Sequence, residues 1–385
     1  MASDVIVIGS GIVGASTAFH LAAAGISVTL IEKDHPAAGP TGKSSAVSHL
    51  FYTEPELSQL AQRGCEWLKR LPAIGDGPAV FHEVGMLWCT GEENAEEWAA
   101  AARRIHDQEG GEIFVITPED LAARAPDFVM DDIAIGIWEP AYGYADPYEA
   151  TNGFVNAARA RGAIIRQQSR VGEIETAGGR VAGVRLESGE PIAADIVIAA
   201  TGPWTKALIA PLGVDLSLHI ERHAMAVLDA PGKARSILPF AWCDDILAYY
   251  ARPEREDTIL IGTWAGGGTG IRNLEAKRPH AHEDPNEYDA GSDQDEAAWI
   301  IQQMLPRVPR IGELGIRPGY ACLYDMSPDD LPVIDQIPGT EGLFVVAGSS
   351  GHGFKLGPAV GEELARLATS GRSDLLAPFS LSRFD

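Results

Sequence analysis

The feature that most constrains the fold is a glycine-rich turn near the start of the chain, within DVIVIGSGIVGASTAFHLAAAGISVTLIEKD. A continuously apolar run over residues 5–8, typical of a buried parallel strand, leads into Gly9, Gly11 and Gly14 with the spacing G-x-G-x-x-G. An alanine-rich helical segment follows, and then a second apolar run that ends at Glu32. Because such a turn directs backbone N–H groups toward a pyrophosphate, and the acid accepts hydrogen bonds from ribose hydroxyls, the segment predicts a dinucleotide-binding βαβ unit. The segment alone leaves FAD and NAD as alternatives.

Two further buried strands are predicted much later in the chain. Residues 196–200 and 342–347 are predominantly apolar, and glycine follows each run. The stretches between them contain shorter runs typical of antiparallel strands. We therefore predict an α/β fold, α+β overall, in which a discontinuous Rossmann-like domain binds the dinucleotide and an inserted domain with an antiparallel sheet binds the substrate. The predicted boundaries are 1–80, 146–214 and 328–385 for the nucleotide-binding domain, and 81–145 and 215–327 for the substrate domain.

Charge and cysteine content limit the partners and the compartment. The chain carries a formal net charge of −24, from 30 basic and 54 acidic residues, which counts against nucleic acid and anionic membrane surfaces as partners. Its four cysteines are far apart, which indicates a reducing, cytoplasmic environment rather than a disulfide scaffold. Glycines interrupt the apolar N-terminal run, so we interpret it as folded structure and expect no membrane span. Composition does not indicate the oligomeric state.

Several motifs together resemble one family. GSGIVGAS, IEK, IAATGPW and GSSGHGFKLGPAVGEELARL, in this order, resemble the glycine/D-amino-acid oxidase (DAO) superfamily of flavoproteins over essentially the whole chain. Within that superfamily, ACLYDMSPDDLPVID and GHGFK are most similar to the sarcosine oxidase and N-methyl amino acid oxidoreductase branch. The resemblance implies FAD as the cofactor, a small amino acid or amine as the substrate, and O2 or another acceptor for the electrons.

The resemblance also implies a set of site residues. The C-terminal glycine loop would lie along the pyrimidine edge of the flavin, where its N–H groups and a lysine ammonium stabilise negative charge on the reduced ring. The implied catalytic residues are Lys355, Tyr324, His352 and His49. The implied cofactor-binding residues are Gly9, Gly11, Gly14, Glu32, Lys33, Ser44, Ser45, Val171, Thr201, Gly202, Cys322, Gly351, His352, Gly353, Phe354 and Lys355.

The finer chemistry depends on Cys322, on the loop AVSHLFYT, and on two positions in and after TILIGT. Cys322 falls where monomeric sarcosine oxidases bond a cysteine to the flavin, and a buried inert thiol is the alternative. The loop AVSHLFYT contains His49 and Tyr52 but lacks the arginines that the family places there for the substrate carboxylate. Leu260 and Trp264 stand where the family has a lysine and a histidine. These departures count against sarcosine itself as the substrate and leave oxidase and dehydrogenase as alternatives.

The resulting prediction is an FAD-dependent amine oxidoreductase. We expect it to oxidise the C–N bond of a secondary or tertiary N-methyl amino acid, by hydride transfer to flavin N5 followed by hydrolysis of the imine. Two alternatives remain. One is a D-amino-acid or opine-type dehydrogenase of the same superfamily, and the other is an electron-passing flavoprotein subunit of a larger complex.

Overall fold

The structure is a computed structural model that describes residues 4–75, 77–264, 281–282 and 284–384. The helices, in chain order, are α1 (Ile12–Ala23), α2 (Pro55–Gly75), α3 (Ala95–Glu109), α4 (Pro118–Arg124), α5 (Pro147–Ala160), α6 (Thr205–Ile209), α7 (Ala234–Ile237), α8 (Gln294–Met304) and α9 (Gly353–Ser370). The strands, in chain order, are β1 (Val5–Ile8), β2 (Val28–Ile31), β3 (Val47–Ser48), β4 (Phe81–His82), β5 (Met86–Thr90), β6 (Phe114–Ile116), β7 (Ile135–Glu139), β8 (Gly143–Ala145), β9 (Ile164–Arg166), β10 (Val171–Ala177), β11 (Arg180–Leu186), β12 (Pro191–Ala193), β13 (Ile196–Ala199), β14 (His219–Asp229), β15 (Ala241–Asp244), β16 (Tyr249–Glu254), β17 (Thr258–Thr263), β18 (Ala281–His282), β19 (Gly291–Ser292), β20 (Gly315–Met326), β21 (Val333–Gln336) and β22 (Leu343–Ala347).

The apolar runs predicted from the sequence form the centre of a mainly parallel sheet. Its strand order is β21-β22-β13-β1-β2-β9, and every pairing is parallel except that of the edge strand β21. Side chains alternate along β1, so Val5 and Val7 pack against α1, α5 and α9, while Ile6 and Ile8 pack toward the small sheet β10-β11-β12. Burial on both faces is the reason these strands are continuously apolar.

A second, larger sheet has the strand order β19-β20-β14-β17-β16-β15-β5-β7-β6, with β18 paired to β14. Its pairings are antiparallel except that of β5 with β15. Alternation again separates two cores: Met86 joins the cluster under α3, and Leu87 joins the cluster under α8. The predicted fold class is confirmed, a Rossmann-like α/β part combined with a mainly antiparallel sheet. The domain boundaries given above remain predictions.

Helix α9 begins earlier than expected and brings the two ends of the chain together. The sequence pattern after the glycine loop predicts a helix over residues 359–368, whereas the helix starts at Gly353, so Lys355 lies in its first turn. Its packing on α1 is close, since a Cβ on Gly361 would lie 2.6 Å from the Ser16 hydroxyl, and that hydroxyl donates to Pro358 O at 2.9 Å. This contact places the first and last glycine turns beside one another.

Candidate active site

A cavity of about 630 Å³ lies at the carboxyl ends of β1, β2 and β13, between the two large sheets. The strand order reverses beside β1, because the chain runs first to β2 on one side and later to β13 on the other. Such a switch point is where open α/β sheets bind ligands. The turn after β1 forms one end of the cavity, and strand β20 with the turn before α9 forms the other.

The first glycine turn fits a dinucleotide phosphate. Gly9 has φ of +95°, and a Cβ there would lie 2.4 Å from Ala200 O, so only glycine fits. Gly11 lines the cavity, whereas Gly14 lies beneath the turn, where a Cβ would approach Gly9 O within 1.9 Å. The hydroxyl of Ser10 is buried on the cavity wall without a hydrogen-bond partner in the described part of the chain. An orphaned donor in a glycine cradle at a helix start is the arrangement that a phosphate would satisfy.

The acid predicted to meet the ribose lies on the same wall. Glu32 is buried at the end of β2, and its carboxylate accepts hydrogen bonds from Ser10 N at 2.7 Å and Asp34 N at 2.9 Å. The next residue, Lys33, lies with its Nζ 3.4 Å from the ring centroid of Trp204 at the rim of the cavity. The Trp204 indole N–H donates to Asn286 Oδ1 at 2.8 Å. Sequence reasoning named Glu32 and Lys33 but missed Trp204, whose signal was the tryptophan in the IAATGPW motif.

Several other predicted cofactor residues also line the cavity. They come from distant parts of the chain and are Ser44, Val171, Thr201, Gly202, Cys322, Gly351, Gly353 and Phe354. Ser45, His352 and Lys355 do not line it and lie next to it in the sequence. Cys322 is buried, and burial raises the pKa of its thiol to about 12. A covalent bond between the Cys322 sulfur and the flavin would have to form on the β20 side of the cavity.

A buried acid that the sequence did not single out shapes the C-terminal turn. Asp325 follows Tyr324 on β20 and lines the cavity. Its carboxylate accepts from Gly348 N at 2.8 Å, and its carbonyl accepts from Ser350 N at 3.0 Å. Burial raises the pKa of Asp325 to about 6. The sequence signal that could have identified Asp325 was an acid within the largely apolar stretch ACLYDM.

Two arginines that could have faced the substrate are used structurally instead. Arg252 is buried, donates from Nε to Ser45 O at 2.5 Å, and pairs with Glu254 at 2.7 Å. Its guanidinium also lies 4.1 Å from the ring centroid of Tyr144. Arg222 makes an ion pair with Glu296 at 2.6 Å. Arg252 therefore anchors the backbone beside Ser44 on the cavity wall rather than presenting a free charge.

Aromatic side chains form a nearly closed ring beside the end of the cavity that strand β20 and the turn before α9 form. Successive ring centroids lie 4.7 to 6.2 Å apart in the order Tyr250, Trp264, Trp88, His49, Tyr52 and His352. The hydroxyls of Tyr250 and Tyr324 lie 3.5 Å apart. The Tyr324 ring also packs on the turn that precedes His352, since a Cβ on Gly351 would lie 2.7 Å from that ring. We call these seven side chains the aromatic ring.

The partial accessibility of its members indicates that the aromatic ring borders an internal recess. Burial raises the pKa of Tyr250 to about 12 and that of Tyr324 well above its usual value. Both side chains nevertheless keep part of their surface accessible, as do those of Trp88, Trp264 and His352. Rings that are deep in a protein and still accessible line a space that a small molecule can enter.

Lys355 brings a buried positive charge to this recess. Its side chain is 6% exposed, and its Nζ lies 5.6 Å from the Tyr52 ring centroid. Within the described ranges, Lys355 makes no ion pair, and its ammonium donates no hydrogen bond to a protein group. Burial lowers the pKa of Lys355 to about 8. A buried ammonium without a partner is a candidate to bind an anionic group of a ligand.

The two histidines of the ring are neutral near physiological pH. Burial, assisted by the nearby Lys355 charge, lowers the pKa of His352 to about 3 and that of His49 well below its usual value. His352 Nδ1 is hydrogen-bonded to the Tyr52 hydroxyl at 3.0 Å, whereas His49 Nδ1 is buried without a partner among the residues described. The structure thus brings the four predicted catalytic residues, Lys355, Tyr324, His352 and His49, to one recess.

The segment that carries His49 and Tyr52 is held by a buried acid that sequence reasoning missed. Glu139, at the end of β7, accepts from Leu50 N at 2.6 Å and from Phe51 N at 3.2 Å. Burial raises the pKa of Glu139 to about 8, and the two N–H contacts oppose that shift. No motif marks this acid, because its partners lie about ninety residues away in the chain.

Comparison with known proteins agrees with this geometry. The profile of the family described as FAD dependent oxidoreductase (DAO) matches residues 4–367. The N-methyl-L-tryptophan oxidase of Salmonella enteritidis PT4 (strain P125109) is 28% identical, with both chains covered completely, and that of Yersinia pestis (strain Pestoides F) is 28% identical over 99% of both chains.

Solved structures share the whole fold. L-proline dehydrogenase from P. horikoshii has a TM-score of 0.87 at 24% identity and covers 100% of this chain and 98% of its own. Glycine oxidase from Geobacillus kaustophilus has a TM-score of 0.80 at 22% identity and covers 99% of both chains. In the part of the chain that the structure describes, no helix is both long and apolar enough to cross a bilayer. The chain belongs to the DAO family of FAD-dependent oxidoreductases, and its cofactor is FAD.

Proposed function

We propose that this enzyme oxidises the C–N bond of a secondary or tertiary N-methyl amino acid with a bulky, uncharged side chain. The observation that supports this most is the aromatic ring, which encloses a recess at one end of the FAD cavity and includes Tyr52, whose ring lies beside the unpaired Lys355 ammonium. An amino acid offers one carboxylate for that ammonium and apolar surface for the rings.

The chain's residues divide into those that hold FAD and those that hold the substrate. The turn after β1 and Glu32 would bind the diphosphate and ribose, and the turn at Gly351 with the start of α9 would meet the flavin. When bound, FAD would accept a hydride, which carries two electrons, from the substrate carbon next to nitrogen. The protein's contribution is to place that carbon at the correct end of the cavity and to exclude water from it.

Substrate recognition in this proposal depends on Lys355. Because Arg222 and Arg252 are both engaged by other protein groups, Lys355 is the cation we assign to the substrate carboxylate. The neutral histidines let the amine approach without repulsion, and a neutral amine is the form that can release hydride. The names of the N-methyl-L-tryptophan oxidases support a substrate with a large side chain, for which Trp88 and Trp264 offer stacking surface.

A titration of the purified holoenzyme tests the proposal. Under anaerobic conditions, N-methyl-L-tryptophan is expected to bleach the flavin absorbance, and Lys355→Met is expected to raise the concentration needed by at least tenfold. Sarcosine, L-proline and a D-amino acid serve as comparison substrates. A flavin that none of the N-methyl compounds reduces would contradict the proposal.

A dehydrogenase is the second candidate, and one residue favours it. Leu260 occupies the position where the family resemblance would place a lysine thought to promote reaction with O2, and it is buried in β17 beside Arg252. Reduced enzyme mixed with air or with an artificial dye separates the candidates. Rapid reoxidation in air indicates an oxidase, and reoxidation that requires the dye indicates a dehydrogenase.

A further inference from the structure

Part of the outer wall of the FAD cavity is formed by a short segment that the proposed reaction does not use. Asp284, Pro285 and Asn286 line the cavity, and they precede β19 in the chain. Asp284 and Asn286 are exposed to solvent, whereas Pro285 between them is buried. A segment that faces the cavity on one side and solvent on the other separates the two. We call residues 284–288 the strap.

The larger sheet holds the end of the strap that leads into β19. Arg222 of β14 donates from Nε to Asp289 O at 2.8 Å, and Ala321 N of β20 donates to Ala290 O at 2.8 Å. Strand β19 then pairs with β20. The strap therefore starts from the larger sheet, on one side of the cavity.

Two side-chain contacts tie the strap to the opposite side of the cavity. Trp204, which follows β13, donates its indole N–H to Asn286 Oδ1 at 2.8 Å. Lys43, in the segment between β2 and β3, donates from Nζ to the Tyr288 hydroxyl and lies 4.8 Å from the centroid of that ring. We call these two contacts the latches. Because both donors follow strands of the parallel sheet, the strap connects the two large sheets across the cavity.

A turn within the strap sets the first latch. Asp284 Oδ1 accepts from Asn286 N at 2.8 Å and from Asn286 Nδ2 at 2.7 Å, and Glu287 N donates to Asp284 O at 3.2 Å. Since the amide nitrogen of Asn286 is used inside the turn, its amide oxygen is left to accept from Trp204. The indole is also held by Lys33, whose Nζ lies 3.4 Å from its ring centroid. The geometry of this latch is therefore fixed from both of its sides.

We propose that the strap closes over the ADP half of FAD and that both latches must open before FAD can enter or leave. Trp204 and Lys33 place the first latch at the end of the cavity where Glu32 and the first glycine turn would bind that half. Most side chains of the strap are exposed, so little apolar burial holds it closed and the latches supply much of its local stability. This inference concerns the cofactor and does not depend on the identity of the substrate.

A latch affects binding rates in a way that a contact with FAD does not. If opening precedes both entry and release, a weaker latch raises the open population by the same factor in the apoprotein and in the holoenzyme. The association and dissociation rate constants then rise together, and the dissociation constant stays the same. Loss of a direct contact with FAD instead raises the dissociation rate constant and weakens affinity.

The test measures both rate constants for FAD in the Cys322→Ser background, where that residue cannot form a bond to the flavin. Flavin fluorescence follows association with the apoprotein, and an excess of a second FAD-binding apoprotein traps the released cofactor. Trp204→Phe removes the donor of the first latch, and Tyr288→Phe removes the acceptor of the second. Each should raise both rate constants about fivefold, the factor that corresponds to one net hydrogen bond, and change the dissociation constant less than about twofold. Tyr288 is not among the described residues that line the cavity, so its substitution removes no contact with FAD.

Trp67→Phe provides the matched control. Trp67 of α2 also donates its indole N–H to a side-chain oxygen, Glu362 Oε2 at 2.9 Å, but neither residue lines the cavity, so both rate constants should stay unchanged. Ser10→Ala provides the contrast, because loss of a hydroxyl on the cavity wall should raise only the dissociation rate constant. If both latch variants raise only the dissociation rate constant, or leave both rate constants unchanged, the strap does not control access and the inference is wrong.

Discussion

Arg252→Met tests whether the larger sheet positions the loop that carries Ser44 and Ser45 at the cavity wall. Methionine keeps most of the apolar volume but removes the donor to Ser45 O at 2.5 Å and the contact with the Tyr144 ring at 4.1 Å. A hydrogen bond from a charged group is worth about 1.5–3 kcal/mol, and a desolvated cation–π contact is worth about 1–2 kcal/mol. The ion pair with Glu254 adds little, because that carboxylate is about one-third exposed and water solvates it when the arginine is gone. The expected loss of stability is about 3 kcal/mol.

Two measurements separate stability from function in this variant. Urea unfolding of the apoprotein, followed by tryptophan fluorescence, gives the change in the free energy of unfolding, and titration with FAD gives the cofactor's dissociation constant. We expect Arg252→Met to weaken FAD binding at least tenfold, because the backbone beside Ser44 on the cavity wall loses its anchor. Arg307→Met is the matched control, since Arg307 is also buried and also donates to a backbone carbonyl, Val129 O, and to the Asp244 carboxylate, neither of which lines the cavity. It should lower stability while leaving FAD affinity unchanged. An Arg252→Met protein with wild-type stability and FAD affinity would refute the reasoning.

Three further predictions concern the same cavity. Gly351→Ala should displace the Tyr324 ring and lower kcat, because the position has φ of +82° and the new Cβ lies 2.7 Å from that ring; a variant with unchanged turnover would contradict this. We expect wild-type protein precipitated with acid to retain yellow colour and Cys322→Ser to release it; colour released from both would exclude a bond to the flavin. The raised pKa of Asp325, about 6 in the folded protein, favours its protonated form there, so this residue lowers apoprotein stability as the pH rises from about 4 to about 6. The free energy of unfolding of Asp325→Asn should lack this dependence. Relative to wild type, it should therefore increase by up to about 3 kcal/mol between pH 4 and pH 7, as measured by urea midpoints.

Local sequence determined the parallel sheet and the position of the nucleotide site. A strand buried on both faces needs an uninterrupted apolar run, and a turn in which a Cβ on Gly9 would lie 2.4 Å from Ala200 O needs glycine, so both leave signals within a few residues. The predicted role of Glu32 in binding the ribose comes from the same short βαβ unit. The start of α9 was misplaced by several residues, because a glycine-rich sequence predicts a loop, whereas the packing of α9 against α1 stabilises helix there.

What only the tertiary structure decided is the environment of the charged and aromatic side chains. Glu139 and Leu50 lie 89 residues apart, and Arg252 and Ser45 lie 207 apart, so no local pattern links them. The aromatic ring is drawn from separate segments of the chain, and its enclosure exists only once both sheets have packed. The sequence identifies Lys355 as a charged residue in a glycine-rich loop. Whether its ammonium forms an ion pair depends on which acidic side chains the fold brings close to it. Electrostatic interaction depends on distance and burial in three dimensions, and the sequence states neither.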